Sequence, residues 1–311
     1  MVPQREVMSR IAGAFAALLV SLAGSSAQAQ APTSAPAASG ERKNFLWEVS
    51  SLTNKVYLFG TIHAGKKDWF PLPEVVEKAF TESKVLVVEA DITDQEAMMK
   101  SAPLLMYAPP SNLETAVGPE EYARFKKHLA RYSLPEAPLR QLKPFSAVSM
   151  LVFSEWGRLG YLPNFGVDAY LIQKARAELK PLIEIEGVET QSALIGSLTP
   201  EQNRQIFTGT MKAIESGLTS EQITGMVNAW QSGDANLLLE IARKYNDDVP
   251  GAKEFEEMFI WARHDAMVKK IEGYLGEARK PHFIAVGALH MAGPRGLVEL
   301  LRKRGFVVKQ L

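Results

Sequence analysis

Two stretches of the chain share one pattern of hydrophobic and polar positions. The first runs from Val56 to His63 and the second from Phe283 to His290, and both end in the motif Gly-x-x-His after an apolar run. A helix-like stretch and another apolar run follow each motif, at 85–88 in the first copy and 306–308 in the second. The repeat predicts two related β/α half-units packed together in one fold.

Each of these stretches predicts a buried strand with a histidine just past its carboxyl end, His63 in one copy and His290 in the other. Ligand sites of α/β folds lie at the carboxyl ends of parallel strands. A single Gly-x-x-His motif is more often a core turn, in which glycine suits the backbone and histidine fills space. Because the motif occurs twice, we favour a functional site where the two histidines meet.

Local patterns predict the elements around the first motif. They indicate two strands joined by a hairpin, followed by a helix that Pro73 begins, at 45–49, 55–60 and 74–82. The next run, Val85 to Val88, is continuously apolar and β-branched, which predicts a buried strand. Glu89 follows it and shares a sheet edge with His63 if their strands are parallel neighbours. A carboxylate in this position is otherwise a solvated strand end.

The middle of the chain, from 94 to about 255, is predicted to be a large helical insertion that prolines interrupt. Within it, the stretch 181–187 predicts a strand with Glu184 and Glu186 on one face. That face is either exposed to solvent or brings a second carboxylate to the site. Asp168 lies in the first turn of a predicted helix, where capping is its expected role.

The stretch from Ala252 to Leu275 predicts one long helix that is apolar on two faces and therefore buried between layers. Arg263 lies inside it, and a buried arginine needs an anionic partner because unpaired burial costs several kcal/mol. Site carboxylates, a substrate oxyanion or an ordinary salt bridge would serve. Helix geometry places His264 about 100° around from Arg263.

The first 29 residues predict a secretory signal peptide. Arg5 and Arg10 flank a basic start, the stretch 11–22 is apolar, and Ala27-Gln28-Ala29 is a cleavage signal with the cut after Ala29. This predicts a periplasmic or secreted protein; an uncleaved anchor is the alternative. Residues 30–43 are rich in Ala, Pro and Ser and predict a flexible tether, which leaves 44–311 as the folded domain.

Composition narrows the possible functions. The chain has a formal net charge of +0 and no long basic run, which argues against nucleic-acid binding and against a polybasic membrane patch. It has no cysteine, so thiolate metal ligands and a cysteine nucleophile are excluded. The motifs HExxH and Gly-x-Ser-x-Gly are absent, which argues against a conventional zincin and a serine hydrolase. Once the signal is cleaved, no integral membrane span is expected, and the oligomeric state stays open.

The chain resembles the TraB/GumN family, which is related to the Tiki metalloproteases and more remotely to erythromycin esterase-like and ChaN-like proteins. The resemblance covers nearly all of the chain after the tether. It implies an α/β (α+β) fold, in which two β/α half-units form a central mixed sheet with a large helical insertion. The matching features are Leu46-Trp47, Tyr57 to His63, Pro71-Leu72-Pro73, Glu89, Gly166-Val167-Asp168, Pro181 to Glu186, Gln191, Arg263 and Val286 to His290.

The resemblance also implies a set of site residues. It assigns metal ligation to His63, His290 and Glu89, and catalytic roles to Glu89, Glu186 and Arg263. The family commonly has asparagine after that arginine, whereas this chain has His264.

The chemistry of this set is coherent in itself. Two imidazoles and one or two carboxylates would suit a divalent ion (Mn, Co or Zn) with an open water position. A second carboxylate would act as general base, and Arg263 would stabilise an oxyanion. We therefore predict an exported metal-dependent hydrolase, a peptidase acting on a peptide or small-molecule substrate. The alternatives are a non-catalytic periplasmic protein that binds a metal, haem or peptide, and an envelope or polysaccharide-export accessory protein.

Overall fold

The computed structural model describes residues 43–244 and 251–311, so the predicted signal peptide and the tether up to residue 42 lie outside the described residues. Six strands in the described part form one mixed sheet with the order β4-β3-β5-β2-β1-β6. β1 is antiparallel to both of its neighbours, and the other pairings are parallel. The strands are Leu46–Ser50 (β1), Lys55–Thr61 (β2), Val85–Val88 (β3), Leu182–Glu184 (β4), His282–Gly287 (β5) and Val307–Gln310 (β6).

Helices surround this sheet and confirm the α/β (α+β) class. None of those described is long and apolar enough to cross a membrane. Their bounds are Glu74–Glu82 (α1), Gln95–Ser101 (α2), Leu113–Val117 (α3), Pro119–Arg131 (α4), Glu136–Leu139 (α5), Pro144–Arg158 (α6), Val167–Ala177 (α7), Val188–Gly196 (α8), Pro200–Glu215 (α9), Leu218–Gln231 (α10), Ala235–Lys244 (α11), Ala252–Phe259 (α12), His264–Gly276 (α13) and Leu297–Lys303 (α14).

The two predicted half-units are present as β2-α1-β3 and β5-α14-β6. β2 and β5 are parallel neighbours at the centre of the sheet, with Gly60 opposite Val286 and Thr61 opposite Gly287. A Cβ on Gly60 would come within 3.0 Å of the Ala288 backbone, so glycine allows the two motifs to pack closely. The Gly-x-x-His motifs therefore leave the sheet side by side.

The strands that lead to His63 and Glu89 are not direct neighbours. β3 does not pair with β2, because β5 lies between them and pairs in parallel with both. β5 is buried along almost its whole length, which suits the central position of the sheet. Glu89 still reaches the same edge as His63, because the three strands run in one direction.

The insertion between β3 and β5 has its own apolar core. This core forms where α4, α6 and α9 pack together, around Phe125, Leu151 and Phe207. The insertion is not wholly helical, since β4 lies within the range 94–255 and joins the sheet beside β3.

The single helix predicted from Ala252 to Leu275 is also wrong. Its first part ends at Phe259, and Ile260 leaves the helical backbone with φ −124° and ψ −69°. A turn of 3-10 helix over Trp261–Arg263 then leads into α13. The guanidinium Nη1 of Arg263 donates to the Phe259 carbonyl at 2.6 Å, which holds this side chain against the break.

Candidate functional site

A cleft of about 280 Å³ lies at the carboxyl edge of β2, β3 and β5. His63, Glu89, Arg263 and His290 all line it, so the structure brings together four of the five residues singled out from the sequence. The fifth, Glu186, contacts Arg263. The remaining wall of the cleft is largely apolar and includes Val152, Phe153, Trp156, Met226, Leu238 and Ile260.

Arg263 binds both carboxylates of the site. Its Nε donates to Glu186 at 2.8 Å, and its Nη2 donates to Glu186 and to Glu89. All three side chains are largely buried, with 14% of Arg263, 15% of Glu89 and 11% of Glu186 exposed. The structure thus supplies the anionic partners that a buried arginine needs.

Glu89 receives two further hydrogen bonds. Gln191 Nε2 donates to its Oε1 at 2.7 Å, and the backbone N–H of Gly287 donates to its Oε2 at 2.9 Å. Burial alone would raise the pKa of Glu89, but His290, Arg263 and the Gly287 N–H together hold that pKa well below its ordinary value. Glu89 is therefore a carboxylate, and each of its oxygens already accepts a hydrogen bond.

Glu184 does not share this environment. β4 ends at Glu184, so the strand alternation that was predicted to pair it with Glu186 stops before the second carboxylate. Glu184 instead accepts from the backbone N–H of Asp91 at 2.6 Å. Only Glu186 belongs to the site.

The first histidine is oriented by a buried aspartate. Asp168 Oδ2 lies 2.7 Å from His63 Nδ1, and Thr61 Oγ1 donates to Asp168 Oδ1. The charge of Asp168 is the main cause that raises the pKa of His63 to about 9. His63 is 58% exposed at the side chain, and its Nε2 is the ring nitrogen left for a ligand.

The capping role predicted for Asp168 is wrong, because α7 has no side-chain cap. Gly166 precedes this helix and packs directly on the first motif, where a Cβ would lie 2.5 Å from the His63 carbonyl oxygen. The next residue, Val167, donates its N–H to Ile62 O at 2.9 Å. The Gly-Val-Asp sequence therefore holds the start of α7 against the motif and brings Asp168 to His63.

The second histidine is oriented by another histidine. His290 Nδ1 lies 2.8 Å from His264 Nε2, and His264 Nδ1 lies 2.6 Å from the carbonyl oxygen of Arg295. A carbonyl only accepts, so His264 donates from Nδ1. Burial, with the nearby charge of His290, lowers the pKa of His264 to about 4, so this ring is neutral and its Nε2 accepts from His290.

This chain of hydrogen bonds fixes the tautomer of His290. Its Nδ1 carries the proton, and its Nε2 lies in the cleft, 3.6 Å from Glu89 Oε1. The helix break at Ile260 makes the contact possible, because His264 begins α13 and is buried against the second motif. Sequence periodicity gave no signal for this pair; the departure from the family's asparagine at position 264 was the one available hint.

Substitutions of His264 test this arrangement. A glutamine offers an acceptor and a donor near the position of the histidine Nε2, so His264→Gln can still accept from His290, and we expect the His290 tautomer to persist. His264→Leu offers neither, and we expect it to lower ligand affinity at His290 by about 10–100-fold. ¹⁵N NMR of the His290 ring checks both variants. An unchanged His290 spectrum in His264→Leu would contradict the assigned role.

A divalent ion needs three or four nitrogen or oxygen donors that converge. No group of three or more His, Asp or Glu side chains in 43–244 and 251–311 has such an arrangement. The imidazoles of His63 and His290 fit an ion, because in each a buried partner holds Nδ1 and leaves Nε2 on the cleft wall. The carboxylates do not fit as they are paired here, because Arg263 occupies both.

Comparisons with known proteins find a family and several relatives. A sequence profile of the TraB/PrgY/gumN family matches residues 45–310. The uncharacterized protein YbaP of Escherichia coli (strain K12) is 24% identical over 270 residues, which cover 83% of this chain and 94% of YbaP.

Proteins named metalloproteases are also similar. Metalloprotease TIKI1 of Danio rerio is 24% identical over 310 residues, and that of Homo sapiens is 23% identical over 315 residues. Each alignment covers 86% of this chain but only 63% and 62% of the respective TIKI1 proteins. No solved structure matches the chain.

Proposed function

Because the chain belongs to the TraB/PrgY/gumN family, we propose that it is a hydrolase that cleaves peptides in the cleft between its two Gly-x-x-His motifs. The observation that carries this proposal is that both imidazoles are oriented in the same way. Each has Nδ1 tied to a partner, Asp168 for His63 and His264 for His290, and each lines the same cleft. The similarity to proteins named metalloproteases supports the reaction class.

The proposal includes a divalent ion (Mn, Co or Zn) held by His63 and His290, with water or substrate oxygens supplying the other donors that such an ion needs. When bound, such an ion would polarise a carbonyl group and acidify a water molecule. Asp168 and His264 would hold the two rings in the tautomer that leaves Nε2 free. Glu89 is assigned no ligand bond, because Arg263, Gln191 and Gly287 already donate to its oxygens.

The other groups of the site position the reacting groups and exclude water, and they take no part in the reaction. Arg263 donates hydrogen bonds from Nε, Nη1 and Nη2 to Glu186, Phe259 and Glu89, so it acts as a clamp on the carboxylates. The apolar wall reduces access of bulk water, which strengthens every electrostatic interaction in the cleft. Ion and proton compete for His63 Nε2, so ion affinity should rise with pH towards about 9.

A binding protein without turnover is the second candidate, and the engagement of both carboxylates by Arg263 favours it. For either candidate we propose export to the periplasm or the medium, because residues 1–29 are predicted to be a signal peptide. Catalytic turnover distinguishes the hydrolase from the binding protein.

The test compares the purified protein with His63→Ala/His290→Ala. We expect the wild type to bind about one divalent ion, to be stabilised as the ion concentration exceeds the Kd, and to cleave members of a peptide library. The double variant should do none of these. His128→Ala, which removes a histidine from α4, controls for the loss of a buried ring.

Chelation should stop cleavage, and Mn, Co or Zn should restore it. Ion binding without cleavage of any peptide would favour the binding protein. If neither protein binds an ion and the double variant is only less stable, the two histidines are structural and the hydrolase is ruled out.

A further inference from the structure

A second cavity of about 380 Å³ lies next to the cleft, inside the helical insertion. The two share four lining residues, Val152, Phe153, Trp156 and Met226, and from this adjacency we infer one groove that starts at the histidines. Both volumes are near the lower end of the ~300–1,000 Å³ typical of ligand pockets. We call the second cavity, between α6, α9, α10 and α12, the insertion groove.

One face of α6 forms the floor of this groove. Phe145, Ser149, Val152, Phe153 and Trp156 recur at helical spacing along that face and are all only partly buried. The opposite face of α6 packs into the core of the insertion. The helix is thus apolar on two sides, and one side is left for a ligand.

The chemistry changes along the groove. The cleft end has His63, Glu89, Arg263 and His290, whereas no charged side chain of the described residues lines the insertion groove. Its polar groups are neutral, and they include the hydroxyls of Thr210 and Thr219. A neutral apolar channel with a few hydroxyl groups suits uncharged side chains that stay attached to a polar backbone.

The length of the groove sets the size of its occupant. Phe145 and Trp156 are eleven residues apart on α6, which corresponds to about 16 Å at the rise of an α-helix. An extended peptide covers that distance with about five residues. The groove therefore has the dimensions of a run of subsites on one side of a scissile bond.

We propose that the insertion groove binds four or five apolar residues on one side of the scissile bond, so that the substrates are peptides with an apolar segment beside the cleavage point. This inference rests on the proposed hydrolase function. In this proposal the insertion selects the substrate, and the two Gly-x-x-His motifs carry out the reaction.

Filling the groove far from the histidines tests the proposal. Ala213 lines the insertion groove and not the cleft, and Ala213→Trp should block it. Ala177, at the exposed end of α7, gives the matched control Ala177→Trp. Ala213→Leu is a smaller change that keeps the test valid if the tryptophan variant does not fold.

Two peptide series are compared, one with an apolar run on the amino side of a fixed central pair and one with that run on the carboxyl side. We expect Ala213→Trp to raise KM at least tenfold for one series and to leave short peptides without the run unchanged. Ala177→Trp should change neither. Equal effects on long and short peptides, or no effect on either, would overturn the proposal.

Binding is measured separately by calorimetry in the presence of a chelator. Apolar peptides that bind in an Ala213-dependent manner but are never cleaved leave the groove assignment standing and remove the hydrolase. Peptides that are cleaved equally well by the wild type and by Ala213→Trp would support the hydrolase and rule out the groove assignment. If dodecanoate binds in an Ala213-dependent manner and apolar peptides do not, the occupant is an acyl chain and the peptide assignment is wrong.

Discussion

Replacing Arg263 by leucine is expected to lower the free energy of unfolding by about 3–5 kcal/mol, because it leaves two buried carboxylates without their shared counter-charge. Glu89 and Glu186 are 15% and 11% exposed, so water cannot replace the guanidinium on both. The pKa of Arg263 is raised by these carboxylates although burial opposes it, so the guanidinium stays charged as the pH rises. Urea unfolding followed by circular dichroism measures the change.

A surface pair provides the matched control. Arg295 pairs with Glu257, but these side chains are 54% and 49% exposed, and Arg295→Leu should cost no more than about 1 kcal/mol. Adding Glu89→Gln and Glu186→Gln to Arg263→Leu should recover much of the lost stability, because the uncompensated charges are then gone. An Arg263→Leu variant as stable as Arg295→Leu would show that the carboxylates are solvated and that Arg263 is not a clamp.

The need of Arg263 for an anionic partner was predictable, and so was the fold class. The sequence shows two continuous apolar runs, Val56 to Thr61 and Val85 to Val88. Side chains on both faces of such a strand are apolar, so both faces must be buried, which places the strand inside a sheet that is covered on each side. The repeated Gly-x-x-His motif located the cleft of the candidate site because the carboxyl ends of parallel strands share one edge. In both cases the information lies within a few residues of sequence.

The partners of the histidines carry no such local signal. Asp168 is 105 positions from His63, and His264 is 26 positions from His290, so each pair depends on how distant elements pack. The break at Ile260 has no proline or glycine to mark it, and periodicity alone predicted one continuous helix. The position of β5 between β2 and β3 likewise follows from sheet assembly, which no pattern within one strand encodes.

These unpredicted partners give the two imidazoles different surroundings. Asp168 raises the pKa of His63 to about 9, whereas His264 is a neutral acceptor for His290. The two imidazoles are alike in sequence context but differ in charge partner. A ligand bound between them therefore meets one ring that a carboxylate orients and one ring that a neutral imidazole orients.

Asp168→Leu is expected to reduce kcat/KM, or ion affinity where turnover is absent, by about 100-fold, because nothing then orients His63 or sets its tautomer. Asp168→Asn should have a smaller effect. Its amide oxygen can still accept from His63 Nδ1, since the Thr61 hydroxyl can accept from the amide nitrogen in place of donating. Kinetics and ion titration of both variants, with far-ultraviolet circular dichroism to confirm folding, measure the difference.

The same variants should change the pH dependence of stability. In the wild type the folded pKa of His63, about 9, exceeds its ordinary value of 6.5. The His63–Asp168 pair therefore stabilises the fold fully below pH 6.5 and loses that contribution as the pH rises through about 9. Without the carboxylate this decline should vanish, and NMR titration should show the pKa of His63 back near its ordinary value. A His63 pKa that stays near 9 in Asp168→Asn would mean that Glu89, the other nearby carboxylate, is the true charge partner.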